Sequence, residues 1–389
     1  MEEPPGAGRG AAGGARAGRE GHALVTKAAV RAEAEALFAA FQAAGAVPVE
    51  ADILLPAGTL LDLYGEDIRA RAYVTSDPLR GEMMLRPDFT VPVVQAHMGE
   101  GAEPARYTYM GEVFRRQEHV GPRASEYMQV GFELFDRAEP EAADAEVFAL
   151  IAELLAPLDL RAATGDIGIL MAAVRGLSTT EKRKAALLRH VWRPNRFRAL
   201  LDRFAGRTPV PEARLRLLDR LSGAGAVELM EAAGPAIGLR EPDEIEARAA
   251  ALVEDASAAP LGAEETAVLD DLLSLEDAAP AALDRLEGLA RRMPSLGPSV
   301  ARFARRLGAL SARGIAVEHL PFDASHGQSS LEYYDGFVFS FHAADPALPP
   351  VSTGGRYDAL TAVLGQGRSI PAVGGVIRPG LVARLKGLA

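Results

Sequence analysis

The chain has 389 residues and no cysteine, which excludes disulfides, thiolate catalysis and zinc–thiolate sites. It is 48% hydrophobic, yet it has neither an apolar run long enough to span a membrane nor an apolar N-terminal leader, so we expect a cytoplasmic protein. Its net charge of -11 argues against nucleic acid as the main partner.

The N-terminal residues 1–21 are rich in Gly, Ala and Arg, which predicts a flexible tail. The tail contains the G-x-G-x-x-G spacing typical of dinucleotide-binding loops, at Gly8, Gly10 and Gly13. Such a loop requires a preceding strand, and none is predicted here. We therefore reject a dinucleotide site in the tail.

The first predicted elements are a helix, a strand with a loop, and a second helix. The first helix starts at Thr26 and ends at Gly45, and residues 47–65 follow as a strand and loop. Pro87 opens a short turn into the second helix. The apolar face of the first helix comprises Val30, Leu37, Phe38 and Phe41.

Two strands follow, at residues 106–116 and 126–136, joined by the polar loop 117–125. This pattern predicts a hairpin with a loop longer than a tight turn. A further helix begins near Glu141, and Pro157 ends it.

Residues 176–310 are rich in Ala, Leu, Arg and Glu at helical spacing, and strand patterns are nearly absent from them. Strand patterns return after Gly314. The sequence therefore predicts an α+β domain, formed by residues 22–175 and 311–389, that is interrupted by a helical insertion.

The strand 126–136 carries the most informative pattern. Alternate side chains of a strand point to opposite faces, so one face is wholly apolar and the other is polar around a central glycine, Gly131. A solvated outer face would give the same pattern, but a glycine between Gln129 and Glu133 also leaves room for a small ligand. The apolar face comprises Met128, Val130, Phe132 and Leu134, and the polar face Tyr127, Gln129, Gly131 and Glu133.

The neighbouring strand repeats this character, with Tyr109, Gly111, Val113 and Arg115 on one face. Two glycines on adjacent strands predict a shallow floor for a ligand. An arginine fork suits a carboxylate and Glu133 suits an ammonium, which together are the groups of a free amino acid. Five residues nearer the C-terminus extend this set: Glu332, Tyr333, Tyr334, Arg356 and Tyr357. For the tyrosines, packing in the core is an equal alternative.

Other chemistry has little support in the sequence. The seven histidines show no H-E-x-x-H spacing, and neither a phosphate-binding P-loop nor a G-x-S-x-G nucleophile motif is present. We therefore expect no metal and no cofactor.

Four ordered motifs resemble the catalytic domain of class II histidyl-tRNA synthetases: "LRPDFT", "RYTYMGEVFRRQEHVGPRASEYMQVGFELF", "LEYYDGFVFSF" and "GGRYDAL". The resemblance covers residues 24–175 and 311–380. It implies an antiparallel sheet flanked by helices and a dimerisation helix whose motif ends near Pro48. It also implies a histidine-binding pocket formed by Asp88, Thr90, Arg115, Gln129, Glu133, Tyr333 and Tyr334.

The chain departs from the synthetase pattern where adenylate chemistry requires positive charge. Ser329 stands at the position of a catalytic arginine, and Gln117 replaces a glutamate of the second motif. In the third motif Gly380 and Leu381 replace a Glu–Arg pair. The nearest arginine, Arg378, lies three residues before the position of the missing arginine. The sequence ends at Ala389, so we expect no anticodon-binding domain and no tRNA partner.

This combination resembles the histidyl-tRNA-synthetase-like regulatory subunits of ATP phosphoribosyltransferase. The resemblance implies a non-catalytic chain that is required by a short-form catalytic subunit and mediates feedback inhibition by histidine. It also implies homodimers within a hetero-octamer. Two alternatives remain: a truncated synthetase-like enzyme that activates histidine with ATP, and a structural paralogue without a ligand.

Overall fold

A computed structural model describes residues 25–64, 68–117, 124–234, 238, 240–327 and 333–388. The α-helices are α1 Lys27–Ala43, α2 Ala57–Tyr64, α3 Ile68–Arg71, α4 Thr90–Glu100, α5 Pro140–Leu155, α6 Ile167–Arg175, α7 Glu181–Arg189, α8 Pro194–Phe204, α9 Glu212–Ala232, α10 Pro242–Ser257, α11 Ala263–Leu273, α12 Ala279–Arg292, α13 Gly297–Ala312, α14 Asp358–Leu364 and α15 Pro379–Leu385. Short 3-10 helices span Ala156–Leu158, Pro294–Leu296 and Val317–His319. The strands are β1 Val47–Pro48, β2 Leu54–Pro56, β3 Val74–Asp77, β4 Gly81–Leu85, β5 Ala105–Phe114, β6 Glu126–Phe135, β7 Arg161–Asp166, β8 Glu276–Ala278, β9 Pro321–Asp323, β10 Phe337–His342, β11 Ser352–Arg356 and β12 Ala372–Ile377.

The centre of the fold is a sheet whose strand order, over the described residues, is β1-β5-β6-β12-β11-β10-β7-β9-β8. The pairs from β5 through β7 are all antiparallel, whereas β1 and β9 pair in parallel with β5 and β7. A small separate sheet has the order β2-β4-β3. The predicted α+β class with an antiparallel sheet flanked by helices is confirmed, with parallel pairs added near its edges.

The helix predicted from Thr26 is confirmed as α1. Its N-terminus is capped by the Thr26 side chain, whose Oγ1 accepts a hydrogen bond from the backbone N–H of Ala29 at 3.1 Å. Gly45 follows the helix with φ of +92°, a conformation that favours glycine. The apolar face of α1 packs on β6, where the rings of Phe41 and Phe132 lie 5.4 Å apart.

The stretch 47–65, predicted to be a strand and loop, contains a helix that the prediction missed. The described part of this stretch forms β1, β2 and α2. Pro56 and Gly58 are turn signals, but here Pro56 immediately precedes the helix and Gly58 lies in its first turn. Leu60 is buried in a small separate hydrophobic cluster with Met84 and Val91, and this burial stabilises the helix.

The described residues between 176 and 310 form helices joined by short connections, together with β8 and a 3-10 turn. Their C-terminal half joins the main sheet: β8 pairs with β9, and Val268, Leu286 and Phe303 belong to the main hydrophobic cluster. In contrast, α9 has no fully buried residue. The division into domains stays a prediction.

In the part of the chain described above, no helix has the length and apolar character needed to cross a membrane.

Candidate ligand-binding site

The polar face of β6 holds a buried carboxylate surrounded by hydroxyl groups. Glu133 is only 1% exposed. Its Oε1 accepts hydrogen bonds from Thr90 Oγ1 at 3.2 Å and from the Tyr109 hydroxyl at 3.0 Å. Its Oε2 accepts one from the Tyr357 hydroxyl at 2.5 Å. These donors come from α4, β5 and the start of α14, so the carboxylate joins three parts of the fold.

Burial raises the pKa of Glu133 to about 7, because the charged form loses its solvation. The hydrogen bonds from Tyr357, Tyr109 and Thr90 lower this pKa in part, while the nearby Asp88 charge raises it. The described residues supply no Lys or Arg partner to Glu133 among their ion pairs. A carboxyl group with this pKa is close to half-ionised at neutral pH, so a bound cation would strongly favour its ionised form.

The two tyrosines of the "LEYYDG" motif lie beside this carboxylate. The Tyr333 hydroxyl is 3.3 Å from Thr90 Oγ1, and the rings of Tyr333 and Tyr334 meet edge to face at 4.8 Å. Burial raises the pKa of Tyr334, and the charges of Glu133, Asp88 and Arg115 also act on it. Arg115 is anchored by a hydrogen bond of 2.9 Å from its Nε to the Pro87 carbonyl. Six of the predicted residues are therefore brought together.

Gln129, the seventh predicted residue, lies on the same face of β6 as Glu133. It is 1% exposed, and its Oε1 has no hydrogen-bond partner among the described residues. A buried amide oxygen without a partner is costly, so this atom is suited to accept a hydrogen bond from a ligand. The alternative of a solvated outer face is wrong, because Gln129 and Glu133 are both buried.

The space for a ligand that was expected over Gly111 and Gly131 is filled by side chains. A Cβ atom at Gly131 would lie 2.1 Å from Cζ of Tyr109, and one at Gly111 would lie 2.6 Å from Nη2 of Arg86. These glycines make room for side chains of the protein itself. Tyr109 crosses the neighbouring Gly131 to reach Glu133 and stacks on Phe89 at 4.5 Å.

Three residues at this site are absent from the histidine-binding set that the synthetase resemblance implies: Tyr109, Tyr357 and Gly374. The sequence patterns name Tyr109 and Tyr357 as candidates, but not Gly374. Gly374 pairs with Glu133 across β12 and β6, and a Cβ there would lie 1.5 Å from Glu133 Oε2. The strand alternation that identified Gly111 and Arg115 also placed Tyr109 on their face, which was a usable signal. The requirement for glycine at 374 depends on strand register, which the local sequence does not specify.

The remaining residues of the sequence argument lie apart from the carboxylate. Arg356 forms buried ion pairs with Asp144 at 2.7 Å and with Asp358 at 3.0 Å, which gives it a structural role. Leu381 packs against the main hydrophobic cluster. Arg378 donates a hydrogen bond to the Pro350 carbonyl, and its Cζ lies 5.7 Å from the centre of the Tyr127 ring. Ser329 and Glu332 lie outside the described residues, and the part of the chain that is described contains no group of three or more acidic or histidine side chains suited to a metal.

Comparisons with known proteins agree with this geometry. The chain matches the family described as "Histidyl-tRNA synthetase" over residues 24–259 and 225–379. The ATP phosphoribosyltransferase regulatory subunit of Mesorhizobium japonicum is 34% identical over 350 residues, covering 86% of this chain and 92% of the relative. The protein of the same name from Brucella anthropi is 31% identical over 342 residues, covering 84% and 89%.

Solved structures support the same fold. A Bacillus halodurans protein, described as an ATP phosphoribosyltransferase regulatory subunit/histidyl-tRNA synthetase, has a TM-score of 0.63 at 21% identity and covers 93% of this chain and 79% of its own. A histidyl-tRNA synthetase from Nostoc has a TM-score of 0.61 at 16% identity, with coverages of 94% and 74%. The predicted class II aminoacyl-tRNA synthetase fold is confirmed.

Fold, site and motifs together define a histidyl-tRNA synthetase-like protein. Within that class, the chain belongs to the family of ATP phosphoribosyltransferase regulatory subunits.

Proposed function

We propose that this chain is a non-catalytic subunit that binds free histidine and transmits its concentration to a short-form ATP phosphoribosyltransferase. The observation that carries the proposal is the buried Glu133, which accepts three hydroxyl hydrogen bonds and has a pKa raised to about 7. No Lys or Arg of the described residues forms an ion pair with this desolvated carboxylate, so it is suited to receive a cationic ligand.

Each predicted site residue has a role in this proposal. Glu133 accepts the ammonium group of histidine, and Arg115 pairs with its carboxylate. Tyr333 and Tyr334 surround the imidazole, with their hydroxyls available to its ring nitrogens. The buried amide oxygen of Gln129 accepts a further hydrogen bond. Asp88 and Thr90 complete the proposed histidine site.

The absence of catalysis is part of the proposal. Adenylate formation depends on positive charge placed at the phosphates. The apolar Leu381 lies at a position where synthetases carry an arginine, and it is partly buried against the main hydrophobic cluster. Arg378 is held by the Pro350 carbonyl. Ser329 at the other arginine position supports the same conclusion from the sequence.

The regulatory names of the relatives from Mesorhizobium japonicum and Brucella anthropi support the proposed partner. In this proposal the chain forms a homodimer, assembles with the short catalytic subunit into a hetero-octamer and does not bind tRNA. Histidine inhibits by binding the inhibited state of the complex more tightly than the active state. The extent of inhibition is limited by that difference in affinity.

The test is co-purification with the short catalytic subunit of the same organism, followed by assays with increasing histidine. We expect little activity from the catalytic subunit alone, activity in the complex, and inhibition by histidine. Calorimetry on the isolated chain should detect histidine binding that is unchanged by ATP. Histidine-dependent exchange of pyrophosphate into ATP above background would instead favour the synthetase-like enzyme, and no binding of histidine would refute the proposal.

A further inference from the structure

Residues 334–336, which comprise the second tyrosine of the proposed histidine site and the two residues after it, are held by hydrogen bonds from three parts of the chain. The indole N–H of Trp192 donates to the Tyr334 carbonyl at 2.9 Å. The Asp335 carboxylate accepts from two backbone N–H groups at the start of α14, at 3.0 and 2.7 Å. The N–H of Ile167, at the start of α6, donates to the Gly336 carbonyl at 2.9 Å. These bonds hold the backbone that carries Tyr334.

Of these contacts, the one from Trp192 comes from the helical segment 176–310. Trp192 lies in the short connection between α7 and α8, and it is the only tryptophan of the chain. It is partly buried and packs against the main hydrophobic cluster, next to Val191, which is fully buried. The indole therefore joins this helical connection to the backbone of a residue in the proposed site.

A short series of contacts continues from this bond to Glu133. The ring of Tyr334 meets the ring of Tyr333 at 4.8 Å, and the Tyr333 hydroxyl is 3.3 Å from Thr90 Oγ1. Thr90 in turn donates to Glu133 at 3.2 Å. These contacts connect the indole of Trp192, through the backbone and ring of Tyr334, with the Glu133 carboxylate.

We propose that Trp192 is a positioning residue for the histidine site, and that it couples occupancy of that site to the connection between α7 and α8. The proposal rests on the histidine-binding function proposed above. Trp192 does not touch the ligand. It acts by holding the Tyr334 carbonyl, so that both tyrosine rings are already placed when an amino acid enters.

The test compares histidine binding to the full chain and to the variant Trp192→Phe. Phenylalanine keeps an aromatic ring but removes the N–H donor. A neutral hydrogen bond typically contributes about 0.5 to 1.5 kcal/mol, so calorimetry should show histidine affinity weakened about 3- to 10-fold. In the unmodified chain, histidine should change the tryptophan emission with the same midpoint that calorimetry gives.

Phe197→Leu is the matched control, because Phe197 is a buried residue of α8 that does not bind the Tyr334 carbonyl. It perturbs packing in the same region and leaves the indole bond in place, so its histidine affinity should stay within about twofold of the unmodified chain. The proposal is overturned if Trp192→Phe binds histidine as tightly as the unmodified chain, or if Phe197→Leu weakens binding equally. If the unmodified chain shows no heat of binding at all, the proposed function and this inference fail together.

Discussion

Replacing Glu133 with glutamine tests the site with little change of shape. The amide oxygen can accept from Thr90 and Tyr109, and the amide N–H can donate to the Tyr357 hydroxyl. The substitution removes the negative charge and the titration while keeping the side-chain volume. Any difference between the two proteins that changes with pH therefore belongs to the carboxyl group.

The first expected difference is in stability. The pKa of Glu133 is about 7 in the folded chain against 4.5 for an exposed glutamate, and this difference corresponds to about 3 kcal/mol. Because the folded state binds the proton more tightly, the contribution of this group to stability is greatest below pH 4.5 and is lost as the pH rises to about 7. Urea unfolding should show Glu133→Gln gaining up to about 3 kcal/mol relative to the unmodified chain between pH 5 and pH 8.

The second expected difference is in the protons released when histidine binds. At pH 6 a carboxyl group of pKa about 7 is mostly protonated, and pairing with an ammonium group should ionise it. Calorimetry in buffers of different ionisation enthalpy should therefore show the unmodified chain releasing about 0.9 more protons than Glu133→Gln at pH 6, and about 0.1 more at pH 8. At pH 8 the variant should bind histidine about 10- to 150-fold more weakly, because a charge-assisted hydrogen bond is lost.

Glu126→Gln, at the exposed start of the same strand, is the control. It should leave the stability profile, the proton release and the affinity unchanged. If Glu133→Gln and the unmodified chain release equal numbers of protons and have parallel stability profiles, then Glu133 does not titrate near neutral pH. In that case the argument that it receives the ammonium group is wrong.

Three further predictions address the packing, the assembly and the chemistry. Gly374→Ala should lower stability by about 1–3 kcal/mol and weaken histidine binding in urea unfolding and calorimetry, because the new Cβ overlaps Glu133. Gly380→Ala should do neither, because its Cβ would make only an ordinary contact with Val30 at 3.8 Å. Light scattering should find a dimer or larger assembly. Val47→Glu, in the exposed strand after α1, should weaken it, and Val363→Glu, at an exposed position of α14, should leave it intact. A monomeric unmodified chain would contradict this. Histidine-dependent pyrophosphate exchange should stay at background, and a clear signal would refute the loss of adenylate chemistry.

The parts of the fold that were predictable are those in which local pattern and tertiary packing agree. The side-chain alternation of β5 and β6 identified both strands, and Thr26 and Gly45 marked the ends of α1. The helix α2 was missed because its stability comes from a separate small cluster around Leu60 and Met84, which the local pattern of residues 47–65 does not indicate.

The sequence indicated residues that the structure brings close together at the candidate site, but it did not indicate how the interior of the site is packed. Strand faces brought Gln129 and Glu133 to one side, and the resemblance to synthetases added residues distant in sequence. Neither could indicate that Tyr109 fills the space over Gly131, because this depends on the rotamer of a side chain on the neighbouring strand. The close approach of Gly374 likewise follows from the pairing of β6 with β12, which are more than two hundred residues apart in the chain.

The energetics of Glu133 also distinguish a histidine receptor from a structural paralogue without a ligand. An ionised carboxylate at this position costs the ligand-free fold about 3 kcal/mol above neutral pH, and glutamine would make similar hydrogen bonds without that penalty. In a protein with no cationic ligand the carboxylate is therefore a net disadvantage, which its hydrogen bonds from Tyr357, Tyr109 and Thr90 offset only in part. In a histidine receptor, the ammonium group of the ligand stabilises the charge, and the destabilisation of the free state becomes a difference between the empty and occupied forms. In the proposed function, that difference is the means by which histidine changes the state of a bound partner.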